Sequence, residues 1–298
     1  MQKIVPCLWF DNNAKEAVNF YSLVFKNSRV GKELRYEEEG AKVSGMPEGS
    51  VMTVDFWLRE QQFVALNGGP LFKFTPAVSF LVNCNTQEEI DELWEKLSPG
   101  GKVLMEFGKY PFSEKFGWVE DRFGISWQLT LTDNAQNIAP CLMFTGKQNG
   151  KAEEAINFYV SLFENSTIGG VYRYGAGEGG EEGTIKHAIF SLNGVEFRAM
   201  DSNLKHSFTF SEAISFSVNC TSQEEIDKFW EKLSDGGEEM DCGWVKDKYG
   251  VTWQIVPSVL DKMISDKDRE KVKKVMHVML QMKKLKIDDL KKAYESYG

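Results

Sequence analysis

The chain alternates between short apolar runs and longer stretches with helical spacing, and this alternation predicts its secondary structure. KIVPCLWF, at residues 3–10, is almost wholly apolar, which is typical of a buried strand. NAKEAVNFYSLVF follows with apolar residues at helical spacing, which places five of them near one face: Ala14, Ala17, Val18, Tyr21 and Phe25. Three strand-like runs come next, at 29–36, 51–58 and 62–66. The predicted order is therefore one strand, one helix and three strands.

The same order begins again from residue 77. AVSFLVNC has the pattern of a strand, and TQEEIDELWEKL that of a helix in which Thr86 is the N-cap and Glu89 completes a capping box. A Gly-Gly pair ends this helix, and three strand-like runs follow, at 102–106, 117–120 and 125–131. Since helices interrupt a mostly non-alternating set of strands, we predict an α+β fold built from two βαβββ modules.

The whole pattern is then written a second time. AKEAVNFYSLVFKNSRVG from Ala14 returns as AEEAINFYVSLFENSTIG from Ala152, and the 23-residue segment from Ser79 recurs from Ser215 with 17 identical positions. Because the repeated segments keep their order over such a long period, they indicate a tandem duplication of a domain. We predict domains at 1–133 and 138–257, a polar linker at 132–137 and a C-terminal helical extension at 258–298.

Two segments break the repeat. Residues 102–116 are much longer than their counterpart at 238–242, and we predict a loop insertion there. Beyond residue 257 the spacing becomes helical, with a methionine-rich apolar face and lysines on the other side. Methionine packs well into irregular gaps. We therefore expect this face to pack across the two domains or against another subunit.

Composition and charge limit the classes of function. The 298 residues are 42% hydrophobic and 27% charged, which is typical of a folded globular protein. The net charge of -9, with no basic stripe, argues against a nucleic-acid partner. We see neither a signal peptide nor an apolar run long enough for a membrane helix, so we expect a cytoplasmic protein without a membrane partner. The five cysteines show no C-x-x-C spacing and suit reduced thiols.

Several short motifs resemble a known superfamily when they are taken in order. They are PCLWF, NFY, ALNGGPLFKF, SFLVNC, GWVEDRFG and SWQ in the first repeat, with CGWVKDKYGVTWQIVP and VMLQMKK in the second. The sequence resembles the vicinal oxygen chelate superfamily of glyoxalases, bleomycin-resistance proteins and extradiol dioxygenases. It resembles most the PhnB-like branch, which carries the label 3-demethylubiquinone-9 3-methyltransferase domain. The resemblance implies that the two modules of each repeat form a curled eight-stranded sheet, a cup, and that the two domains form an intramolecular pseudo-dimer; a homodimer of the whole chain also stays open.

The resemblance also implies where a metal would be bound. Metal-bearing members place a His on the first strand of a module and a Glu near the end of its fourth strand. At those places the sequence has Pro6 and Pro140, Asn67 and Asp201, Ala77 or Ser79, Ala213 or Ser215, and Gln128 and Gln254. Neutral amides and prolines are poor ligands for a divalent transition metal. The three histidines, His187, His206 and His277, are far apart in sequence, so we predict no metal and no cofactor.

A methyltransferase would need a site for S-adenosylmethionine. Gly175, Gly177 and Gly180 satisfy G-x-G-x-x-G, but they lie between two strand-like runs and among glutamates. That motif binds a nucleotide only between a strand and the start of a helix. We therefore predict an acidic hairpin loop at this place.

What remains is a cup with a few neutral polar groups, which is typical of a small-molecule site. We predict that the ligand-binding residues are Asn67, Ser79, Gln128, Asp201, Ser215 and Gln254. The alternative is that they serve the hydrogen bonding of the fold itself. Trp127 and Trp253 alternate with the glutamines and should lie in the core.

Two functions follow from this pattern. The first is a metal-free small-molecule-binding protein, in the manner of bleomycin-resistance members. The second is an enzyme of the same superfamily, a lyase, a dioxygenase or the methyltransferase of the label, that acts on a small organic substrate. For the enzyme, Asp201 and His187 are the only candidate acid–base pair in the second repeat.

Overall fold

The computed structural model of the protein describes residues 2–135 and 137–296, so Gln136 of the predicted linker lies outside the described residues. The first repeat contains β1 (Ile4–Phe10), α1 (Ala14–Val24), β2 (Ser28–Arg35), α2 (Glu38–Ser44), β3 (Val51–Leu58), β4 (Gln61–Asn67), β5 (Val78–Cys84), α3 (Gln87–Leu97), β6 (Lys102–Tyr110), β7 (Ser113–Glu120) and β8 (Ser126–Leu131). The second contains β9 (Ile138–Thr145), α4 (Ala152–Leu162), β10 (Thr167–Arg173), β11 (Ile185–Leu192), β12 (Val195–Ser202), β13 (Ile214–Cys220), α5 (Gln223–Ser234), β14 (Glu238–Glu239), β15 (Trp244–Lys246) and β16 (Thr252–Pro257). Three helices end the chain: α6 (Ser258–Ile264), α7 (Arg269–Met279) and α8 (Ile287–Glu295).

The α+β class and the four βαβββ modules are confirmed. One local prediction was wrong. Residues 102–116 do not form a loop, because β6 and the start of β7 pair through them as a long antiparallel hairpin with several register shifts. The extra residues lengthen two strands, whereas the matching β14 and β15 have two and three residues.

The sixteen strands form two eight-stranded sheets, and each sheet combines modules from both repeats. Sheet 1 has the order β14-β15-β16-β13-β1-β4-β3-β2, and sheet 2 has the order β10-β11-β12-β9-β5-β8-β7-β6. The expectation that each repeat forms its own eight-stranded sheet is therefore corrected. Periodicity along one module shows that its first strand is buried, but it does not show which other first strand lies beside it.

Two antiparallel pairs join the repeats. Strand β1 pairs with β13 from Ile4↔Val218 to Leu8↔Ile214, and β5 pairs with β9 from Val78↔Leu142 to Val82↔Ile138. Nearly all residues of these four strands are buried. Since buried N–H and C=O groups need partners, each first strand requires a neighbour on both edges. The two repeats satisfy this requirement for each other, as an intramolecular pseudo-dimer does.

The core lies where the inner faces of the two sheets meet. Phe63 of sheet 1 and Phe80 of sheet 2 have ring centroids 5.2 Å apart in an edge contact, and Tyr21 of α1 contacts Trp127 at 5.4 Å. Trp127 and Trp253 are both 0% exposed, which confirms their predicted place in the core. Strands here alternate buried and partly exposed residues, so the other side chains point outward.

A buried carboxylate ties the two modules of each repeat together. Asp121 accepts hydrogen bonds from the Tyr21 hydroxyl and the Trp127 indole, both at 2.8 Å, and from the N–H groups of Phe123 and Ile125. In the second repeat, Asp247 makes the same four contacts, with Tyr159, Trp253, Tyr249 and Val251. Burial raises the pKa of both carboxyls, to about 6 for Asp247, although the donors lower it. The sequence analysis did not single out this aspartate.

The C-terminal extension packs on sheet 1. Its buried apolar residues form a small core of their own: Leu260, Met263, Val275, Leu285, Leu290 and Ala293. It contacts α2 of the first repeat and, in the second, β16, α5 and the residues just before β15. Of the two placements expected for the methionine-rich face, the structure shows the one across the two repeats. Among the helices in the described ranges, none is both long and apolar enough to span a membrane.

The tyrosine hydroxyls should contribute to stability. We expect Tyr21→Phe and Tyr159→Phe each to lower the free energy of unfolding by about 1–3 kcal/mol, because each leaves a buried carboxylate short of one donor. Urea unfolding followed by circular dichroism measures the change. Tyr172→Phe is the matched control, since Tyr172 is 60% exposed and should change stability by less than about 0.5 kcal/mol. Equal losses of stability at all three tyrosines would contradict the proposed contribution of the hydrogen bonds to Asp121 and Asp247.

The cross-repeat pairing makes a prediction for the isolated first repeat. Residues 1–133 expose the free edges of β1 and β5, which the second repeat covers in the full chain. Because the two edges are complementary, we expect this fragment to form a homodimer in which β1 of one copy pairs with β5 of the other. Size-exclusion chromatography with light scattering gives its mass. A folded monomer at micromolar concentration would contradict the pairing rule.

Candidate functional site

Each sheet has one face toward the core and one face turned away from it. We call the outward face of sheet 1 cup 1 and that of sheet 2 cup 2. Ser215 lies opposite Cys7 in cup 1, and Gln254 lies two residues along the neighbouring strand. In cup 2, Ser79 lies opposite Cys141, and Gln128 takes the matching place. Four of the six predicted site residues therefore lie in the cups, two in each.

The structure brings each serine and glutamine together. The Gln128 amide donates a hydrogen bond to the Ser79 hydroxyl at 2.8 Å, and Gln254 donates to Ser215 at the same distance. A cysteine from the other repeat lies against each pair, Cys141 in cup 2 and Cys7 in cup 1. Burial raises the pKa of both thiols to about 11, so both stay protonated at neutral pH. The two cup floors are thus neutral polar triads built from both repeats.

The first-strand position is one residue away from the expected place. Pro6 pairs with Phe216, and Pro140 with Phe80, and both phenylalanines lie in the core. Since side chains alternate across a strand, the neighbouring Cys7 and Cys141 point into the cups. The cup position of each first strand is therefore the cysteine, one residue after the proline to which the resemblance assigned it.

Asn67 and Asp201 lie on the core side of their strands, so the prediction that they line the cups is corrected. The Asn67 side chain accepts a hydrogen bond from the N–H of Ala14, at the start of α1. Asp201 accepts from the N–H groups of Gly150 and Ala152, at 2.7 and 3.1 Å, and from that of Ile185 at 2.9 Å. They satisfy donors at the start of a helix, which these residue types commonly do. Asn67 also borders a separate surface hollow of about 320 Å³.

Cup 2 carries a charged group that the sequence analysis missed. Arg198 of β12 lies directly beside Cys141 and is only 6% exposed. Its Nε and Nη2 donate to Glu196 Oε1 at 3.0 and 2.6 Å. The available signal was the position of the arginine between Phe197 and Ala199 in the run VEFRAMDS, because alternation places Arg198 on the opposite face from those two apolar residues.

His187 lies in the same cup. It is half-buried on β11, near the exposed ring of Tyr172, with centroids 6.2 Å apart. Burial, and then the charge of Arg198, lower its pKa to about 4, while Glu196 opposes the shift. The imidazole is therefore neutral at physiological pH. Asp201 faces the core, whereas His187 faces the cup, so the expected acid–base pair does not form.

Cup 1 has an acidic residue one strand further from its floor cysteine than the arginine of cup 2. Val64 occupies the position beside Cys7 that Arg198 occupies beside Cys141. Its neighbour in β3 is Asp55, where cup 2 has Ile189. Burial is the largest effect on both thiols; of the nearby charges, Asp55 raises the pKa of Cys7 slightly, whereas Arg198 lowers that of Cys141. The duplicated floors therefore lie near charges of opposite sign.

The donor groups of the cups do not fit the divalent metal that glyoxalase-like folds can hold. Each Gln amide is turned to donate its N–H, each thiol is protonated, and cup 2 adds a permanent cation. Metal sites in proteins need several imidazole, thiolate or carboxylate ligands. Across 2–135 and 137–296, no three His, Cys, Asp or Glu side chains are grouped so that they could hold an ion.

The glycine-rich string is confirmed as a loop. Residues 174–184 connect β10 to β11 without a helix, and Glu178 accepts a hydrogen bond from the N–H of Gly175. Lys186 pairs with the same glutamate at 3.2 Å. No helix N-terminus is present in this loop to receive a phosphate, so the string does not have the context that the nucleotide motif needs.

Comparison with known proteins supports the architecture. The sequence model of the 3-demethylubiquinone-9 3-methyltransferase family matches residues 2–130 and again 136–256. A Bacillus cereus PhnB protein named for the same methyltransferase is 44% identical; the match covers 44% of this chain and 100% of that protein, with a TM-score of 0.41. Glyoxalase I from Zea mays is 10% identical over 89% of this chain and 98% of its own, with a TM-score of 0.55. No curated protein matches the sequence.

These matches fix the family and the fold separately. Two family matches in tandem cover both repeats. The plant glyoxalase shares the four-module architecture, but its sequence identity is too low to indicate an activity. The chain therefore belongs to the 3-demethylubiquinone-9 3-methyltransferase family as a tandem two-domain member, and it has the fold of the plant glyoxalase.

Proposed function

We propose that the protein is a metal-free small-molecule-binding protein whose working site is cup 2, and that its ligand is an organic molecule with an anionic group. The observation that carries this proposal is Arg198, a cation more than nine-tenths buried beside the Ser79–Gln128 pair. A buried charge is costly unless it is paired or serves a ligand. Its present partner, Glu196, is on the same strand and is about one-third exposed.

A ligand carboxylate could replace Glu196 on the guanidinium. Arginine binds carboxylates through two parallel N–H groups, whereas Glu196 offers a single oxygen to both of its contacts. The displaced glutamate would reach solvent at little cost because it already lies at the rim. Neutral His187 and the floor pair would then supply hydrogen bonds to other polar atoms of the ligand.

The rest of cup 2 suits an aromatic or apolar body. Trp118 lies beside Gln128 and donates its indole N–H to Ser126 at 2.7 Å. Phe116 is buried on the same strand, and Met143 is buried on β9. Small-molecule sites combine such apolar walls with a few polar groups that orient the ligand. An aromatic acid has both features.

The enzyme alternative keeps one observation in its favour. His187 is a neutral imidazole in the cup and could accept a proton from a bound substrate. Asp201, its partner in the sequence analysis, instead accepts hydrogen bonds from backbone N–H groups on the core side. Binding is therefore the function that the geometry supports best.

The binding proposal is tested with aromatic acids. We expect 1-naphthoate or a related aromatic carboxylate to bind wild-type protein, as measured by isothermal titration calorimetry. Arg198→Met should weaken binding by about 10- to 100-fold, because a charge-assisted hydrogen bond is lost. Val64→Met is the matched control at the equivalent place in cup 1 and should leave the Kd unchanged. Absence of binding by any acid of a broad panel, or equal affinity in Arg198→Met, would contradict the proposal.

The electrostatics of cup 2 can be measured without a ligand. We expect the His187 ring proton signals to titrate with a midpoint near pH 4 in NMR spectra, because burial and Arg198 oppose the charged form. In Arg198→Met the midpoint should rise, since the repelling cation is gone and Glu196 remains. His187→Gln identifies the signal among the three histidines. A wild-type midpoint near 6.5 would show that Arg198 does not act on the imidazole.

A further inference from the structure

The C-terminal extension bridges sheet 1 from end to end. We call residues 258–296 the strap. At the β2 end, Lys32 forms an ion pair with Asp261 of α6, Arg269 pairs with Glu37 at 3.1 Å, and His277 lies 3.3 Å from Glu39. Helix α7 packs along α2 at the same end. These contacts are mainly ionic and lie at the surface.

The other end of the strap is held by backbone hydrogen bonds. The N–H groups of Cys242 and Gly243, just before β15, donate to the carbonyls of Met282 and Lys283 at 2.7 Å. Gln223 at the start of α5 accepts from the N–H of Ile287 at 2.9 Å. This end is therefore an anchor, whereas the β2 end is a set of ionic latches.

The strap lies over cup 1. Val256, which alternates with core-facing Ile255 and so points to the cup, packs against the apolar core of the strap. Asp55 also faces the cup; burial raises its pKa, and among charges the Lys32–Asp261 pair of the latch acts on it. The same segment that joins the two ends of the sheet thus covers its outward face.

The floor beneath the strap keeps some solvent exposure and one unpaired polar group. Gln254 is partly exposed, whereas its counterpart Gln128 in cup 2 is buried. The Thr252 hydroxyl is buried and has no hydrogen-bond partner within the described residues. Its counterpart Ser126 accepts a hydrogen bond from Trp118. Buried polar groups are nearly always paired, so this hydroxyl is available for a hydrogen bond with a molecule bound in cup 1.

We propose that the space between the strap and cup 1 is a second small-molecule site, which the strap gates and which takes a ligand with hydrogen-bond donors, an amine or an amidine, in place of an acid. Thr252 and the Ser215–Gln254 pair provide polar contacts on its floor. Asp55 places a negative charge near this floor, whereas Arg198 places a positive charge near the floor of cup 2. The proposal does not depend on binding in cup 2.

Matched cysteines allow the gate to be tested without a ligand. Cys7 and Cys141 occupy equivalent floor positions, and the pKa of each is about 11, so their intrinsic reactivity is similar. In Lys32→Ala/Arg269→Ala, which removes two latches from the full chain, we expect iodoacetamide to modify Cys7 about tenfold faster. The rate at Cys141 should not change. Peptide mass spectrometry reports each cysteine separately.

Two controls separate gating from general loosening. Exchanging the charges of the central latch, Lys32→Asp with Asp261→Lys, should return the Cys7 rate toward that of the wild type. Raising the salt concentration should accelerate Cys7 in wild-type protein, because salt screens surface ion pairs. An unchanged Cys7 rate in the latch variant, or an equal rise at both cysteines, would overturn the gate.

The ligand class is tested on the latch variant. We expect benzamidine to protect Cys7 from iodoacetamide and to leave Cys141 unprotected, whereas benzoate should not protect Cys7. Asp55→Asn should remove the protection, because the attraction of the carboxylate for the amidinium is lost. The assignment would be overturned if benzoate protected Cys7 as strongly as benzamidine does. It would also be overturned if neither compound protected Cys7. Binding in cup 2 is measured separately, through the Arg198→Met variant and the modification rate of Cys141. The two proposals can therefore fail independently.

Discussion

The buried first strands need partners on both edges, and this requirement shapes the whole molecule. Strands β1, β5, β9 and β13 are almost wholly buried, and each has one edge occupied by a strand of its own module. The other edge has to be covered by a strand that is equally apolar, because buried backbone groups cannot remain unpaired. The first strands of the opposite repeat meet this condition. Duplication therefore provides within one chain the partner that a single repeat lacks.

The chemistry of the cups follows from that pairing. Since each sheet takes one module from each repeat, no floor belongs to a single repeat: Cys141 faces Ser79 and Gln128, and Cys7 faces Ser215 and Gln254. The two floors are alike, whereas the strands beside them have diverged. Cup 2 has Arg198 where cup 1 has Val64, and cup 1 has Asp55 where cup 2 has Ile189. The nearby charge is therefore positive in cup 2 and negative in cup 1. A duplicated fold has in this way gained two different environments.

The covering of the cups has diverged as well. The strap crosses cup 1 and is anchored on β15 and α5, where its backbone is hydrogen bonded. Within the described residues, the chain provides no corresponding helical segment over cup 2, whose rim carries the exposed Tyr172 and Phe112. The long β6–β7 hairpin forms one edge of sheet 2 where sheet 1 has the very short β14 and β15. Both differences arise at the places where the two repeats differ in length or continue beyond the shared pattern.

Periodicity and repetition in the sequence determined the modules, the duplication, the core position of Trp127 and Trp253 and the strand face of the serines and glutamines, because these depend on spacing along one strand or helix. Asn67 and Asp201 escaped this reasoning, since a polar residue on a strand gives no sign of which face it occupies when helix N–H groups lie on one side and a cup on the other. The partners of the first strands, the place of Arg198 beside a cysteine of another strand and the course of the strap were decided only by the tertiary structure. Each depends on contacts between segments far apart in the chain, and the local pattern of a sequence specifies what a strand needs at its edges but not which strand supplies it.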